Sequence, residues 1–376
     1  MASYIVTCSI LNIMNIVNSH NEWDPLEEVI IGAGIPSELP AIDFTFKLFF
    51  HDNIYGDMPK VAERYISKRH VEEHNEDIES FASLCQSLGV LVQRPKIPKH
   101  ITKVKTPTWD STIHAALNVR DLTIVIGNEI IETPVNCRWR YFENFHLKHL
   151  FLDYFKNGAK WTQVPQPILT DSSFDLNYYK EDELAHQEYS SGIVASPYDC
   201  GHEIMFDGAN IMRLGRHILF NASSANARLG VQWMRNHLGD AYTVWEINIA
   251  DSHIDSSFLP LRPGLALITR EDIWHQLPPQ LQKWDKIYIP ERKRSAEEYA
   301  AQGIKLASPR IELNVFSISP ELIICHPQYE KELNDKLKKY GITAIGSPMR
   351  HCEIFAGAHH CTTLDIRRKG ILENYF

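Results

Sequence analysis

The stretch LNDKLKKYGITAIGSP (residues 333–348) has three parts. An amphipathic helix carries Leu333 and Leu337 on one face, Gly341 breaks it, and a short β-rich run follows. Glycine just past a helix end takes the left-handed conformation that stops it. The same grammar recurs in FASLCQSLGVLVQRP (81–95) around Gly89 and in LFLDYFKNGAKWTQVPQP (150–167) around Gly158. It recurs again in VQWMRNHLGDAYTVWEINIA (231–250) around Gly239, and more weakly in LQKWDKIYIPE (281–291) near Asp285.

Strand runs lie between these units. TIVIGNEII (123–131) and FSISPELII (316–324) read as hairpins with short polar turns. The order of elements therefore repeats about five times although the residues do not. No Gly/Ser-rich linker divides the chain. Repetition without a linker predicts one closed, pseudo-symmetric α/β assembly. A doubly wound sheet is the alternative, but neither G-x-G-x-x-G after a strand nor a phosphate-cradling G-x-x-x-x-G-K-[ST] occurs. The N-terminal MASYIVTCSILNIMNIVNS (1–19) is apolar but lacks a basic leader. Met14 opens a natural domain start, so residues 1–13 are expected to be an extension and 14–376 one domain.

The 376 residues carry a net charge of −9. That disfavours nucleic acid or an anionic membrane as partner and suits a small cationic or amine-bearing substrate. Seven widely spaced cysteines without C-x-x-C argue against a disulfide framework or a zinc ribbon, which implies a reducing, cytoplasmic setting.

HHCTTLDIRRKG (359–370) sets Cys361 beside two histidines and near Arg367 and Arg368. A cysteine is most often a small buried apolar residue. A nearby cation or base would make it a nucleophile. As a metal site, HCEIFAGAHHC (351–361) offers His351, Cys352, His359, His360 and Cys361, but its spacing fits no usual zinc pairing. In DSHIDSSF (251–258), His253 and Asp255 would share one face of a strand, as a base with a cation holder or as a plain polar edge. Asp207 in FDGAN and Asp121 in VRDLTIVIG stand at a turn and at a strand entry. Each alone is equally consistent with a structural role.

Together these stretches resemble the glycine amidinotransferase family of the guanidino-modifying, or pentein, enzymes. The matching segments are NEWDPLEEVIIG (21–32), VIGNEIIETP (125–134), RWRYFE (138–143), KNGAKWT (156–162), FDGANIMRLGR (206–216), NARLGVQWMRNHL (226–238), HIDSSF (253–258) and HHCTTLDIRRKG (359–370). They run in order from about residue 14 to the C-terminus. The resemblance implies a five-bladed pseudo-fivefold α/β propeller around a central site. It implies Cys361 as nucleophile, His253 as general acid/base and Asp207 as its acidic partner. Asp121 and Asp255 would hold the guanidinium. Ser308 would help bind the donor's carboxylate. The family's carboxylate-binding arginine does not align cleanly: strict spacing in LITREDIWHQ (267–276) gives Asp272, and Arg270 two residues away is put forward instead. No cofactor or metal is implied. L-Arginine would be the donor, a small amine the acceptor, and a homodimer the assembly.

Glycine-using members carry NPMHID where this chain has ADSHID (250–255), with Ala250 and Ser252 replacing asparagine and methionine. Smaller side chains widen the pocket, which implies an acceptor larger than glycine. Within the family the chain most resembles the cyanobacterial toxin-pathway enzymes of saxitoxin type. The alternatives are transfer to glycine, giving guanidinoacetate, and an arginine deiminase in which water is the acceptor.

Overall fold

The computed structural model describes residues 15–35, 45, 67–97, 99–174, 202–250, 253–290, 311 and 313–376. Its strands form five three-stranded sheets of one design. Each has an antiparallel pair, a hairpin in four of the five, then a connection and a third strand parallel to the second. In one sheet β5 (Thr123–Ile126) pairs with β6 (Glu129–Glu132), and helix α3 (Lys148–Lys156) leads to β7 (Lys160–Gln163). In the next, β8 (Ile211–Leu214) and β9 (His217–Asn221) are followed by α4 (Ala225–Leu238) and β10 (Thr243–Ile247). In a further sheet β14 (Phe316–Ser319), β15 (Leu322–Cys325), α5 (Pro327–Leu337) and β16 (Thr343–Gly346) do the same.

The unit β11 (Phe258–Arg262), β12 (Leu265–Ile268) and β13 (Asp285–Tyr288) lacks the α-helix, and two short 3-10 turns, Asp272–Gln276 and Leu281–Lys283, replace it. Pro278 and Pro279 between them supply no amide donors for a helix. That absence is why the grammar was weakest near Asp285.

The last unit closes the ring with chain ends. β17 (Thr363–Arg368) is the first strand of a sheet whose other members are β1 (Leu26–Ile31) and, after α1 (Lys68–Ser87), β2 (Leu91–Gln93). A small hairpin of β3 (Thr102–Lys105) and β4 (Asp110–Ile113) stands apart. Gly89 (φ +87°) and Gly341 (φ +70°) have the left-handed backbone expected of helix stops.

First strands are almost wholly buried, whereas third strands are mostly half-buried or exposed, as in β8 against β13. The first strands therefore line the axis. That order makes the chain a five-bladed α/β propeller rather than a doubly wound sheet. Near the axis lies a sealed ionic cluster of Arg213, Arg368, Arg120, Glu22 and Asp365. Arg213 clasps Glu22 with two bonds of 2.8 and 2.6 Å and reaches Asp365 at 2.8 Å. Arg120 and Arg368 meet Asp365 at 2.6 and 2.7 Å. Buried charges persist only when each is paired in this way. Among the described residues no helix is long and apolar enough to cross a membrane.

Candidate active site

The segment entering each first strand delivers a polar side chain to the axis. The short helix α2 (Val119–Leu122), just before β5, carries Asp121. Asp207 caps a 3-10 turn, Gly208–Asn210, that leads into β8, with a reciprocal bond between the Asp207 amide and Asn210 Oδ1 at 3.1 Å. His253 precedes the turn Ile254–Ser256, which carries Asp255 into β11. Asn314 precedes β14, and Cys361 precedes β17. His253 and Asp255 are thus on a turn, not on a strand face. Asp255 lies inside that turn, whose amide of Ser257 closes on the carbonyl of Ile254 at 2.9 Å, so alternation along a strand does not apply.

His253 Nε2 lies 2.8 Å from Asp207 Oδ2, and its Nδ1 lies 3.7 Å from Asp121 Oδ1. The Cys361 thiol donates to Asp255 Oδ2 at 3.3 Å. Single ligand atoms of Asp121, His253 and Cys361 all fall within 4.8 Å of one another. The structure therefore brings together five residues singled out in the sequence: Cys361, His253, Asp207, Asp121 and Asp255.

Burial and the carboxylates of Asp255 and Asp121 push the Cys361 thiol well above its usual range. Burial works against a charged His253, but Asp121 and Asp207 outweigh it and raise the imidazole to about 10. Burial would also raise Asp255, yet His360 and His253 hold it down at about 2. For Asp121 burial prevails, and its carboxyl sits above the usual value despite His253 and Arg140. These electrostatics favour a neutral Cys361 thiol beside a charged His253 imidazole.

Each carboxylate facing the thiol has one oxygen braced and one free. Arg140 Nη1 holds Asp121 Oδ2 at 2.7 Å, and His360 Nδ1 holds Asp255 Oδ2 at 2.7 Å. Asp121 Oδ1 and Asp255 Oδ1 are buried without a hydrogen-bond partner. Buried unpaired acceptors are costly, and such a pair is suited to a cationic, multi-donor ligand.

Several supports escaped the sequence reading. Asn314 Oδ1 accepts from the Cys361 amide at 2.8 Å, and its Nδ2 donates to the Asp255 carbonyl at 3.4 Å. Its signal was its place two residues before β14, matching Asp121 before β5 and Cys361 before β17. Arg140 belongs to the quoted RWRYFE, which had been given no role; it also pairs with buried Glu143 at 2.8 Å. Arg120 reaches the His360 carbonyl at 2.9 Å and so grips the loop that carries Cys361.

The cations near Cys361 in sequence face elsewhere. Arg367 pairs with Glu27 and Glu28, and Arg368 with Asp365; both lie at the end of β17 far from the Cys361 loop, and alternation sends them to opposite faces of the sheet. His360 braces Asp255 rather than the sulfur, and His359 bonds the Ser347 carbonyl at 3.0 Å. Arg270 is tied to Asp272 in a surface pair, its Nε 3.1 Å from Oδ1, and not to the central cluster. Ala250 is buried, with its amide and carbonyl both held by Asn221 at 3.2 and 2.8 Å. Ser252, Ser308 and residues 1–13 lie outside the described residues.

No protein-family model matches the chain. It is 33% identical over 365 residues to the mitochondrial glycine amidinotransferase of Xenopus tropicalis, covering 96% of this chain and 85% of that protein. The solved inosamine-phosphate amidinotransferase of Streptomyces griseus superposes with a TM-score of 0.81 at 30% identity, covering 96% of this chain and 99% of that one. An amidinotransferase of the saxitoxin biosynthetic pathway from Microseira wollei superposes with a TM-score of 0.78 at 31% identity, covering 96% and 100%.

Proposed function

The chain belongs to the amidinotransferase family, and on that footing we propose that it moves the amidino group of L-arginine, through a covalent link to Cys361, to an amine acceptor larger than glycine. The observation that carries this reading is the convergence of Cys361, His253 and Asp207 beneath two carboxylates that each present a free buried oxygen.

Guanidinium is planar and rich in N–H donors, so Asp121 Oδ1 and Asp255 Oδ1 can take it from two sides. Its positive charge offsets the two carboxylates that hold the thiol neutral. The thiol proton passes through the Asp255 oxygen it faces and is released to solvent as the guanidinium binds, and the thiolate attacks the central carbon. The imidazolium of His253, held by Asp207, protonates the departing nitrogen as the C–N bond breaks, and ornithine leaves. An amidino-thioether remains on Cys361 with His253 neutral. His253 next takes a proton from the acceptor amine, which forms the new C–N bond as the C–S bond breaks. The product is a guanidino compound, and Cys361 leaves as thiolate and takes a proton from solvent as the product departs, which restores the thiol. Burial of Cys361 keeps water from hydrolysing the intermediate.

Ala250 and Ser252, where glycine-using members carry bulkier residues, support an acceptor wider than glycine. The relatives named above are described for glycine, inosamine phosphate and saxitoxin biosynthesis, so one fold serves acceptors of different size. The saxitoxin-pathway likeness favours an amine-bearing biosynthetic intermediate of that class.

The test is ornithine release from arginine across a panel of amines, with the intact mass taken after arginine alone. A mass gain of one amidino group on the wild type, absent from Cys361→Ala, supports the covalent route. Ornithine formed at undiminished rate by Cys361→Ala defeats it. Citrulline in place of ornithine would make the protein a hydrolase, and full activity with glycine alone would overturn the larger acceptor.

A further inference from the structure

We propose that Asp121, His253 and Cys361 also form a binding site for one thiophilic divalent cation of the zinc class, which shuts the enzyme by occupying its nucleophile, its acid/base and one guanidinium-holding carboxylate together. Among the described residues these three are the one group of histidine, cysteine and acidic side chains whose ligand atoms cluster in this way. Thiolate, imidazole and carboxylate are the donors that zinc takes.

One pair of ligand atoms already has the spacing a tetrahedral ion needs, and all three lie within 4.8 Å of one another. Bonds of about 2.0–2.3 Å place neighbouring ligand atoms roughly 3.5 Å apart. His253 Nδ1 and Asp121 Oδ1 are 3.7 Å apart. Asp121 Oδ1 is buried and carries no hydrogen bond, so nothing must be displaced from it.

The surroundings are those of a ligated histidine. Metal-bound imidazoles usually give their other ring N–H to a carboxylate, which fixes the tautomer. His253 Nε2 meets Asp207 Oδ2 at 2.8 Å and leaves Nδ1 for the ion. Arg140 fixes the far oxygen of Asp121 at 2.7 Å, so that ligand too is oriented from behind. Three protein ligands leave a fourth position for water. Binding forms the metal–sulfur, metal–nitrogen and metal–oxygen bonds and releases the thiol proton and the imidazolium proton; nothing is oxidised or reduced. The donor guanidinium and the ion need the same atoms, so they exclude one another.

The inhibitory part rests on the function proposed above, whereas the binding does not. The test titrates cobalt(II), as a spectroscopic stand-in for zinc, into full-length protein stripped with a chelator. One cobalt per chain is expected, with the visible bands of four-coordinate cobalt and thiolate-to-cobalt absorption. Both signals should vanish in Cys361→Ser and in His253→Gln, and affinity should fall tenfold or more in Asp121→Asn. One equivalent of zinc should displace the cobalt and cut ornithine release at least tenfold, with recovery on chelation. No thiolate band in the wild type, or a band that survives in Cys361→Ser, overturns the site. A band with turnover unaffected by zinc overturns the inhibition. Metal-free protein that releases no ornithine would instead defeat the proposed function and leave the cobalt result standing.

Discussion

His360 Nδ1 lies 2.7 Å from Asp255 Oδ2, and both side chains are sealed from solvent. On its far side the ring reaches Glu22, Nε2 to Oε2, at 3.5 Å. One imidazole therefore ties a carboxylate of the site to the ionic cluster at the axis. Arg140 does the corresponding work for Asp121, linking it to Glu143. Both carboxylates are aimed by groups that never touch the thiol.

Replacing His360 should first be felt in donor binding. His360→Phe leaves buried Asp255 Oδ2 with only the weak thiol donor of Cys361, a loss of about 1–3 kcal/mol in stability. The Michaelis constant for arginine should rise at least tenfold as Asp255 loses its orientation. His360→Asn can still donate from near the Nδ1 position and should recover much of that rise. Steady-state ornithine release at varied arginine, with urea unfolding of each variant, checks both parts. Equal Michaelis constants for the two variants would show that the ring only fills space.

Arg140 separates positioning from stability. Arg140→Met strands Asp121 and Glu143, whose carboxyl burial already pushes up to about 7 despite Arg140. Removing one partner of a buried ion pair costs about 3–5 kcal/mol, while replacing both by apolar groups is often close to neutral. Arg140→Met with Glu143→Met should therefore unfold at higher urea than Arg140→Met alone. Its donor affinity should stay low, since Asp121 remains unbraced. Recovery of arginine affinity together with stability would show that Arg140 acts only as a structural pair.

Three histidines lowered by burial set the acid limit, one of them His114, brought down to about 4. Desolvation lowers His74 and His359 to about 3, against 6.5 when exposed. Each is neutral when folded and binds a proton when unfolded, so its stabilisation is complete above pH 6.5 and is lost as the pH falls toward 3. The slope reaches about 1.4 kcal/mol per pH unit for each histidine. His253, raised to about 10, has the opposite sign: its stabilisation is complete below pH 6.5 and is lost as the pH rises toward 10. Melting temperature should peak near pH 6.5. His74 stacks on Phe355 at 4.1 Å with both ring nitrogens unpaired, so His74→Phe should flatten the acid limb. Melting curves from pH 4 to 9 test this, and an unchanged acid limb in His74→Phe would remove His74 from the account.

The fold was legible because helix stops are local. Gly89, Gly158, Gly239 and Gly341 mark four of the five blades by backbone conformation alone. The blade ending in β13 was faint because its helix is missing. The site was half legible: Cys361, His253, Asp207, Asp121 and Asp255 stand in short segments whose motifs carry over intact. Asn314, Arg140 and His360 were not, because their roles depend on contacts 47, 19 and 105 residues away along the chain. Arg367 and Arg368 misled because closeness in sequence says nothing about which way a strand points them.

Gly208 follows Asp207 at its turn, yet its φ is not left-handed. What demands glycine is space, since a Cβ there would lie 2.3 Å from the Arg120 carbonyl oxygen. That contact sets the Asp207 turn against the helix carrying Asp121, on either side of His253. Gly208→Ala must push the two apart, and the neighbour is backbone that cannot swing away. Turnover should fall by at least tenfold, with a smaller change in the Michaelis constant for arginine, because the acid/base moves more than the guanidinium holders. Kinetics on folded variant protein test it, and wild-type turnover would mean the turns yield without disturbing His253.

The ring is closed by its ends, and the last residues fasten the closure. Phe376 stacks on His217 at 4.0 Å, and Tyr375 packs edge-on to Trp23 at 5.0 Å. His217 Nε2 also meets Asn374 Oδ1 at 2.7 Å, and the Arg216 amide donates to the Glu373 carbonyl at 2.8 Å. These contacts pin the tail beyond β17 to the β8–β9 turn, two blades away, and to Trp23 ahead of β1. Removing residues 374–376 takes away two aromatic side chains and should cost about 2–4 kcal/mol. The catalytic cluster draws no bond from this tail, so turnover at low temperature should be nearly unchanged while the urea midpoint falls. A truncated protein that unfolds at the wild-type midpoint would show that β17 pairing with β1 closes the ring unaided.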